Sequence, residues 1–166
     1  MEDPPLTLRR ADIADSETVF RLHVNSVQAL CRRHYSETHL EAWFVGRSSA
    51  NYLPAIREGA LWIAERDAEA VGFTEFFPGL ISMLFVAGDA SGAGTGSRLL
   101  AFALEGAGAA RNLVRLESTL NARRFYERHG FVAVGTSCLV RDGDIRIPTV
   151  KMEHRPASLI DRGQAC

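Results

Sequence analysis

Cysteine and lysine are both scarce in this chain of 166 residues. Its three cysteines, Cys31, Cys138 and Cys166, lie far apart, and Lys151 is the single lysine among 19 basic residues. The sequence has no CxxC pair and no cluster of Cys and His at metal-ligand spacing, so neither a zinc site nor a disulfide framework is predicted. No bound metal is therefore expected.

An excess of one charge sign and long apolar runs are also missing. Nineteen basic and twenty acidic residues leave a net charge of -1. No basic stripe with interleaved aromatic residues is present, so we expect no binding to nucleic acid. The longest apolar stretch, residues 80–87, is too short to span a bilayer, and residues 1–10 lack the apolar core of a signal peptide. The sequence predicts a cytoplasmic protein without membrane association.

What the chain does contain is typical of a globular domain. Apolar residues make up 46% and charged residues 23%, a balance that distinguishes folded chains from disordered ones. A chain of this length is sufficient for a single core. Because neither an internal repeat nor a linker is visible, we expect one domain over residues 1–154, followed by a loose tail over 155–166.

Hydrophobic periodicity predicts a chain of alternating strands and helices. Strands are predicted at residues 6–10, 60–64, 70–77, 80–86, 113–116, 131–138 and 145–153. Helices are predicted from residue 15 or 16, at about 36–44, near residue 56, after residue 96 and over 122–129. The apolar stripe of the first helix consists of Phe20, Val24, Val27 and Cys31. The short connections at 65–69 and 78–79 predict an antiparallel meander. We assign His23, His39 and His154, which have no partner in the pattern, to the surface.

A glycine-rich segment, residues 88–96, lies between a predicted strand and a predicted helix. Glycines 92, 94 and 96 allow a tight turn and a close approach of the backbone to a ligand. The helix that follows adds unpaired N–H groups and the positive end of its dipole, which together favour an anion. A Walker A loop is excluded because no lysine is nearby, and a dinucleotide fingerprint is excluded because Ser97 replaces its third glycine.

A second motif begins 25 residues after Gly96. It is Asn121-Ala122-Arg123-Arg124-Phe125-Tyr126-Glu127-Arg128-His129-Gly130-Phe131. Helical spacing places Tyr126 on the inner face and the arginines on the outer face. Asn121 lies where the helix begins, and its amide can also contact a ligand.

Together these two motifs resemble the Gcn5-related N-acetyltransferase (GNAT) superfamily. Ser91-x-x-Gly94-x-Gly96 is similar to its pyrophosphate loop, Q/R-x-x-G-x-G/A, and residues 121–131 match its N-A-x-x-F-Y-x-x-x-G-F signature. The order of elements agrees over residues 6–154. The resemblance implies an α/β acyl-CoA N-acyltransferase fold, a mixed and mostly antiparallel seven-stranded sheet flanked by helices. It also implies acetyl-CoA as co-substrate and direct transfer of acetyl, in a ternary complex, to a primary amine of a small molecule or peptide.

Three departures from the family pattern bear on this interpretation. Ser91 replaces a glutamine or arginine, Ala93 stands where a basic residue is frequent, and Gly88 stands where proline is common. Loss of a charged side chain weakens phosphate binding, because charge-assisted contacts are the stronger ones. A non-catalytic acyl-CoA-binding or regulatory module is therefore the alternative, and the sequence leaves open whether the chain is a homodimer.

The resemblance assigns roles to individual residues. Tyr126 would protonate the departing thiolate, and the Val86 N–H would stabilise the oxyanion. For the general base the sequence itself offers two carboxylates, and Glu75, inside an otherwise apolar strand, is preferred over Glu117; either could act directly or through water. His34, Tyr35, Trp43 and Phe44 could wall the acceptor pocket, although such aromatic residues are also typical of a core. The residues expected to bind the cofactor are Leu84, Phe85, Val86, Ser91, Gly92, Ala93, Gly94, Thr95, Gly96, Ser97, Asn121 and Tyr126.

Overall fold

The computed structural model describes residues 5–108 and 113–155, in which seven strands form one sheet. In chain order the strands are β1 (Thr7–Arg10), β2 (Leu61–Arg66), β3 (Glu69–Phe77), β4 (Leu80–Val86), β5 (Val114–Ser118), β6 (Phe131–Arg141) and β7 (Ile145–His154). Their spatial order is β1-β2-β3-β4-β5-β7-β6, antiparallel except for the β4–β5 pair. The mixed, mostly antiparallel seven-stranded sheet predicted from the sequence is confirmed. All but the first residue of the predicted tail 155–166 lie outside the described residues.

Five helices accompany this sheet within the described residues. They are α1 (Ser16–Leu30), α2 (Glu37–Ala42), α3 (Leu53–Arg57), α4 (Thr95–Gly108) and α5 (Arg123–Arg128). The Ser36 side chain caps α2 by accepting a hydrogen bond from the His39 N–H at 3.2 Å, as Ser/Thr/Asp/Asn caps ordinarily do. None of the helices that the structure describes is long and apolar enough to cross a bilayer.

The strands β2, β3 and β4 form the predicted meander. Asp67 and Ala68 connect β2 to β3 with φ of 53° and 61°, and two consecutive positive φ values are characteristic of a type I′ hairpin turn. Beyond the meander the sheet opens, because among the described residues β4 and β5 pair only at Leu80 and Arg115. At the end where β4 and β5 still pair, the Arg115 N–H donates to the Gly79 carbonyl at 3.0 Å.

The two faces of the sheet carry different helices. Side chains alternate along β3, so Phe73 packs against the His23 ring of α1 at a centroid distance of 6.0 Å. Its neighbour Gly72 faces α4, where an added Cβ would lie 3.0 Å from Leu99 Cδ1. We call these the α1 face and the α4 face.

The assignment of His23 to the surface is wrong. Its exposed fraction is 2%, and its Nδ1 lies 2.8 Å from the Tyr52 hydroxyl. The buried face of α1 is rotated by about one residue from the predicted apolar stripe. Phe20 and Val24 of that stripe are half-buried, whereas their neighbours Val19 and His23 are buried. A pattern of apolar residues alone misses a polar side chain that turns inward to a partner 29 residues away.

Candidate active site

A cleft of about 640 Å³ opens where β4 and β5 separate. Its walls include three groups of the residues predicted to bind the cofactor: the strand residues Leu84, Phe85 and Val86, the loop residues Ser91, Gly92, Gly94, Gly96 and Ser97, and the helix residues Asn121 and Tyr126. Two predicted residues are not among the lining residues. Thr95 is 1% exposed, and the Ala93 carbonyl accepts a hydrogen bond from Arg66 Nη2 at 3.4 Å.

The backbone of β4 presents free hydrogen-bonding groups to this cleft. In the antiparallel β3–β4 ladder the Ala87 N–H donates to the Val71 carbonyl at 2.9 Å, and Gly72 lies directly opposite Val86. Because hydrogen-bonded and non-hydrogen-bonded pairs alternate in such a ladder, the Val86 N–H points away from β3. It therefore points to the side on which β5 has diverged.

The glycine loop has the backbone geometry of an anion site. Gly92 and Gly94 have φ of +83° and +80°, and a Cβ added at either position would meet no atom within 4 Å. The first intrahelical bond of α4 runs from the Arg98 N–H to the Gly94 carbonyl, so the N–H groups of residues 95–97 have no intrahelical partner. Open space above two left-handed glycines and a helix N-terminus fits a pyrophosphate.

Gly88, one of the departures from the family pattern, has a packing reason. A Cβ at this position would lie 2.4 Å from the Ala29 Cβ of α1, which is closer than such atoms approach. The Gly88 N–H also donates to Asn25 Oδ1 at 2.9 Å, and proline has no N–H to donate. Close contact between α1 and the start of the loop therefore requires glycine here.

Tyr126 lies at the α4-face side of the cleft. Its ring packs between Phe125 and Phe131, at centroid distances of 5.2 Å and 5.6 Å, and 6% of the residue is exposed. Burial raises the pKa of its phenol above the usual value, so the hydroxyl stays protonated at physiological pH. Among the described residues no hydrogen bond involves this hydroxyl, which leaves it available as a donor to a ligand.

Asn121 is held in place by the core beneath it. Cys31 Sγ donates to Asn121 Oδ1 at 3.3 Å, and the Leu120 N–H donates to the Tyr35 hydroxyl at 2.9 Å. Burial raises the pKa of the Cys31 thiol to about 12. Cys31 is therefore a neutral hydrogen-bond donor at this wall of the cleft and not a thiolate nucleophile.

Two of the four residues predicted to wall the acceptor pocket, Tyr35 and Trp43, are core residues. Tyr35 is 6% exposed, and its hydroxyl donates to the Pro148 carbonyl at 2.7 Å. Trp43 is 1% exposed and packs edge-on to Tyr35 at 5.2 Å. Neither lines the cleft: the Tyr35 hydroxyl reaches Pro148 of β7, and Trp43 belongs to the same apolar cluster as Ile147 of β7. Of the four residues only His34 lies in the cleft wall. Phe44, half-buried, packs against His23 at 5.0 Å.

The two carboxylates considered as general base occupy different positions. Glu117 lies in the cleft wall, and the Thr149 hydroxyl donates to its Oε2 at 3.1 Å. Glu75 is 9% exposed and does not line the cleft. It is reached through Ser82, a lining residue whose hydroxyl donates to Glu75 Oε1 at 2.7 Å.

The sequence did not single out Arg128 as a cleft residue. It is exposed on α5, and it lines the cleft on the same helix as Tyr126. Its position two residues after Tyr126 is the one hint that the sequence gives. Helical spacing predicts that Arg128 points outward, but it does not predict which part of the protein lies beside that face of the helix. Arg128 is thus a positively charged residue in the lining of a cleft whose loop has serine at position 91. No group of three or more His, Cys, Asp or Glu side chains suited to a metal occurs in residues 5–108 and 113–155.

Comparisons with known proteins identify the family of this fold and cleft. The family model of the acetyltransferase (GNAT) domain matches residues 31–155. The chain is 23% identical over 129 residues to the uncharacterized N-acetyltransferase YafP of Escherichia coli (strain K12), covering 78% of this chain and 83% of YafP.

Solved structures show the same fold. A GCN5-related N-acetyltransferase from Rhodopseudomonas palustris has a TM-score of 0.83 at 24% identity, over 94% of this chain and 98% of that one. The PaiA N-acetyltransferase of Thermoplasma acidophilum, solved in complex with coenzyme A, has a TM-score of 0.73 at 20% identity, over 92% and 99%. YncA from Salmonella typhimurium, solved with acetyl-CoA, has a TM-score of 0.67 at 17% identity, over 91% and 94%. With a family model that matches three quarters of its length, this chain belongs to the GNAT acetyltransferase family.

Proposed function

We propose that this protein is an acetyl-CoA-dependent N-acetyltransferase that acts on a primary amine of a small molecule or peptide. The observation that carries the proposal is the cleft itself. Its lining combines residues of the glycine loop, the strand residue Val86, whose N–H points away from β3, and Tyr126. The related proteins solved with coenzyme A or acetyl-CoA support the choice of co-substrate.

Binding would use three parts of the cleft. The backbone of residues 92–97 and the N-terminus of α4 hold the pyrophosphate, with Arg128 supplying the cation that Ser91 does not. The free backbone groups of β4 pair with the pantetheine arm, because β5 has left that edge of the strand unpaired. The thioester then lies beside Val86 and Tyr126, where β4 and α5 face each other across the cleft.

Transfer would proceed by direct attack of the neutral amine on the thioester carbonyl carbon. A new C–N bond forms and the C–S bond breaks, so the products are the acetylated amine and the free thiol of coenzyme A. The Val86 N–H stabilises negative charge on the carbonyl oxygen. The base takes one proton from the ammonium before attack. Tyr126 donates its hydroxyl proton to the departing sulfur, and the phenolate regains a proton from the nitrogen, which loses one as the amide forms, directly or through water.

Glu117 is the carboxylate that the cleft presents directly to an acceptor. It lies on β5 across the cleft from β4, and its exposure allows it to take a proton from an ammonium through contact or through one water. Glu75 contacts the cleft only through Ser82. We therefore propose Glu117 as the general base and Glu75 as a residue that positions Ser82.

The first test combines binding with turnover. Coenzyme A that binds only the folded protein stabilises it by about 2.7 kcal/mol at 100 times its Kd, which corresponds to a rise in Tm of about 5–10 °C. A thiol-release assay with acetyl-CoA and a panel of primary amines should show amine-dependent turnover. A rise in Tm without turnover for any amine would instead indicate a non-catalytic binding module, and no rise at millimolar coenzyme A would contradict the cofactor assignment.

The assignment of the base is tested with a matched pair, Glu117→Gln and Glu75→Gln. The Glu117 variant should lose about 10- to 100-fold in kcat/KM at neutral pH, the lower end for proton transfer because water can also deprotonate the amine. The loss should shrink as the pH rises toward the pKa of the amine. The Glu75 variant should lower Tm with a smaller change in kcat/KM. The reverse pattern across the pH-rate profiles would make Glu75 the base.

A further inference from the structure

Three buried polar atoms without hydrogen-bond partners belong to one cluster on the α1 face. They are His23 Nε2, Arg47 Nε and Arg141 Nε, half of the six such side-chain atoms in the part of the chain that the structure describes. Buried polar groups in folded proteins are nearly always paired, and an exception requires a reason such as a ligand. We call these three residues the Arg47 cluster.

Two distant segments bring the cluster together. Arg47 ends the turn after α2, where its N–H donates to the Phe44 carbonyl at 2.9 Å. Its guanidinium lies 5.6 Å from the centre of the Tyr52 ring, and the hydroxyl of that ring lies 2.8 Å from His23 Nδ1. Arg47, Tyr52 and His23 therefore form a continuous chain of contacts on the α1 face.

Arg141 reaches the same place from the end of β6. It pairs with Ile145 across the β6–β7 hairpin, and it lies two residues after Leu139, so the two side chains share a face of the strand. Leu139 and Ile145 pack into the same apolar cluster as Phe44. The hairpin thus carries Arg141 toward the segment that ends in Arg47.

Arg47 and Arg141 form no ion pair among the described residues. Burial, and after it the guanidinium groups of Arg47 and Arg141, lower the pKa of His23 to about 3, so the imidazole is neutral at physiological pH. Desolvation and the charge of Arg47 lower the pKa of Arg141. Glu75, two residues after Phe73 on β3, is a carboxylate of the same face. Burial raises the pKa of Tyr52, and the charge of Glu75 contributes to that rise; Glu75 also accepts the Ser82 hydroxyl.

The Arg47 cluster adjoins the cleft. The His23 ring packs on the Phe85 ring at a centroid distance of 4.0 Å, and Phe85 lines the cleft next to Val86. Neither arginine is among the lining residues of the cleft. From Phe85 the contacts run through His23 and Tyr52 to Arg47, so an acceptor that extends past Phe85 on the α1 face approaches the cluster. The opposite side of the cleft is occupied by Tyr126 and the α4 face.

We propose that Arg47 and Arg141 bind a carboxylate on the acceptor, so that the substrates of this protein are amines that also carry a carboxylate, as amino acids and peptides do. This inference rests on the proposed acetyltransferase function. Guanidinium groups match the planar, two-oxygen geometry of a carboxylate and form strong charge-assisted hydrogen bonds with it. Such a ligand supplies both the missing anion and acceptors for the unpaired donors.

The test compares free L-amino acids with the matched L-amino acid carboxamides, which keep the amine and lose the negative charge. For the wild-type protein we expect kcat/KM for the preferred acid to exceed that for its amide by about tenfold or more. Arg47→Gln and Arg141→Gln should each reduce kcat/KM for the acid by about 10- to 100-fold, mainly through KM, because a hydrogen bond to a charged group is lost. The amide should be acetylated as before.

Arg57→Gln, which removes an exposed arginine on α3, is the matched control and should behave as wild type. The rise in Tm with coenzyme A, unchanged in all three variants, establishes that they fold and bind the cofactor. Equal rates for acid and amide in the wild type, or turnover of carboxylate-free amines alone, would overturn the proposal while leaving the acetyltransferase intact. If no amine is acetylated, the acetyltransferase proposal fails. In that case Tm is measured with coenzyme A bound. A rise in Tm with an L-amino acid and none with its carboxamide supports carboxylate binding by the Arg47 cluster, and equal shifts overturn it.

Discussion

Replacing Tyr126 by phenylalanine is expected to reduce kcat by about 10²- to 10⁴-fold, the usual effect of removing a positioned proton donor. The substitution deletes only the hydroxyl and keeps the ring between Phe125 and Phe131. Because that hydroxyl has no hydrogen bond within the described part of the chain, its removal strands no protein group. Tm and the affinity for acetyl-CoA should therefore change little. Loss of kcat at constant affinity marks an interaction formed mainly in the transition state.

Tyr35→Phe is the matched control, because it deletes the same atom from a tyrosine of the core. There the hydroxyl joins the Leu120 N–H to the Pro148 carbonyl, and its loss removes this partner from two partly buried backbone groups. We expect a fall in stability of about 1–3 kcal/mol, measured by urea or thermal unfolding. If Tyr126→Phe also loses stability and keeps its wild-type kcat, with chemistry limiting the rate, Tyr126 is a packing residue.

Gly94→Val is expected to remove the binding of coenzyme A. The position has φ of +80° and open space around it, so a side chain there projects into the region that a pyrophosphate would fill. Losing two charge-assisted hydrogen bonds costs about 3–6 kcal/mol, equivalent to a 10²- to 10⁴-fold increase in Kd. Isothermal titration and the coenzyme A-dependent rise in Tm both measure this loss.

The control for backbone strain is Gly143→Val in the β6–β7 turn. Gly143 has φ of +78° and also has no atom within 4 Å of an added Cβ, so both variants carry a similar strain of about 1–3 kcal/mol. Both should melt at a lower temperature, but only Gly94→Val should lose its response to coenzyme A. An equal response in the two variants would show that the loop is not the pyrophosphate site.

Local backbone requirements made part of the site predictable from sequence. The glycine loop is recognisable because left-handed φ values at residues 92 and 94 favour glycine whatever surrounds them. The inward position of Tyr126 follows from helical spacing within a single short segment. The meander was equally local, since its connections are only a few residues long.

Features that depend on distant contacts were not predictable in this way. His23 was assigned to the surface because its partner Tyr52 is 29 residues away and belongs to another element. Trp43 is predicted in a pocket but lies in the core. An aromatic residue after a short helix gives no sign in the sequence of which neighbour will cover it. Alternation of side chains along a strand predicts on which face of the sheet a residue such as Glu75 or Glu117 lies. Which of the two carboxylates lines the cleft depends on where β4 and β5 separate.

In residues 5–108 and 113–155 one residue pair joins β4 to β5, and this has a consequence for the protein without its co-substrate. It divides the sheet into two panels, β1–β4 and β5–β7, that meet at one seam. Along that seam β4 is in effect an edge strand inside the molecule, with unpaired N–H and C=O groups of the kind that recruit foreign strands. A pantetheine arm that pairs with β4 covers this edge and stabilises the contact between the two parts of the sheet. The supply of coenzyme A would then govern how often the seam opens, and with it the tendency of the protein to aggregate.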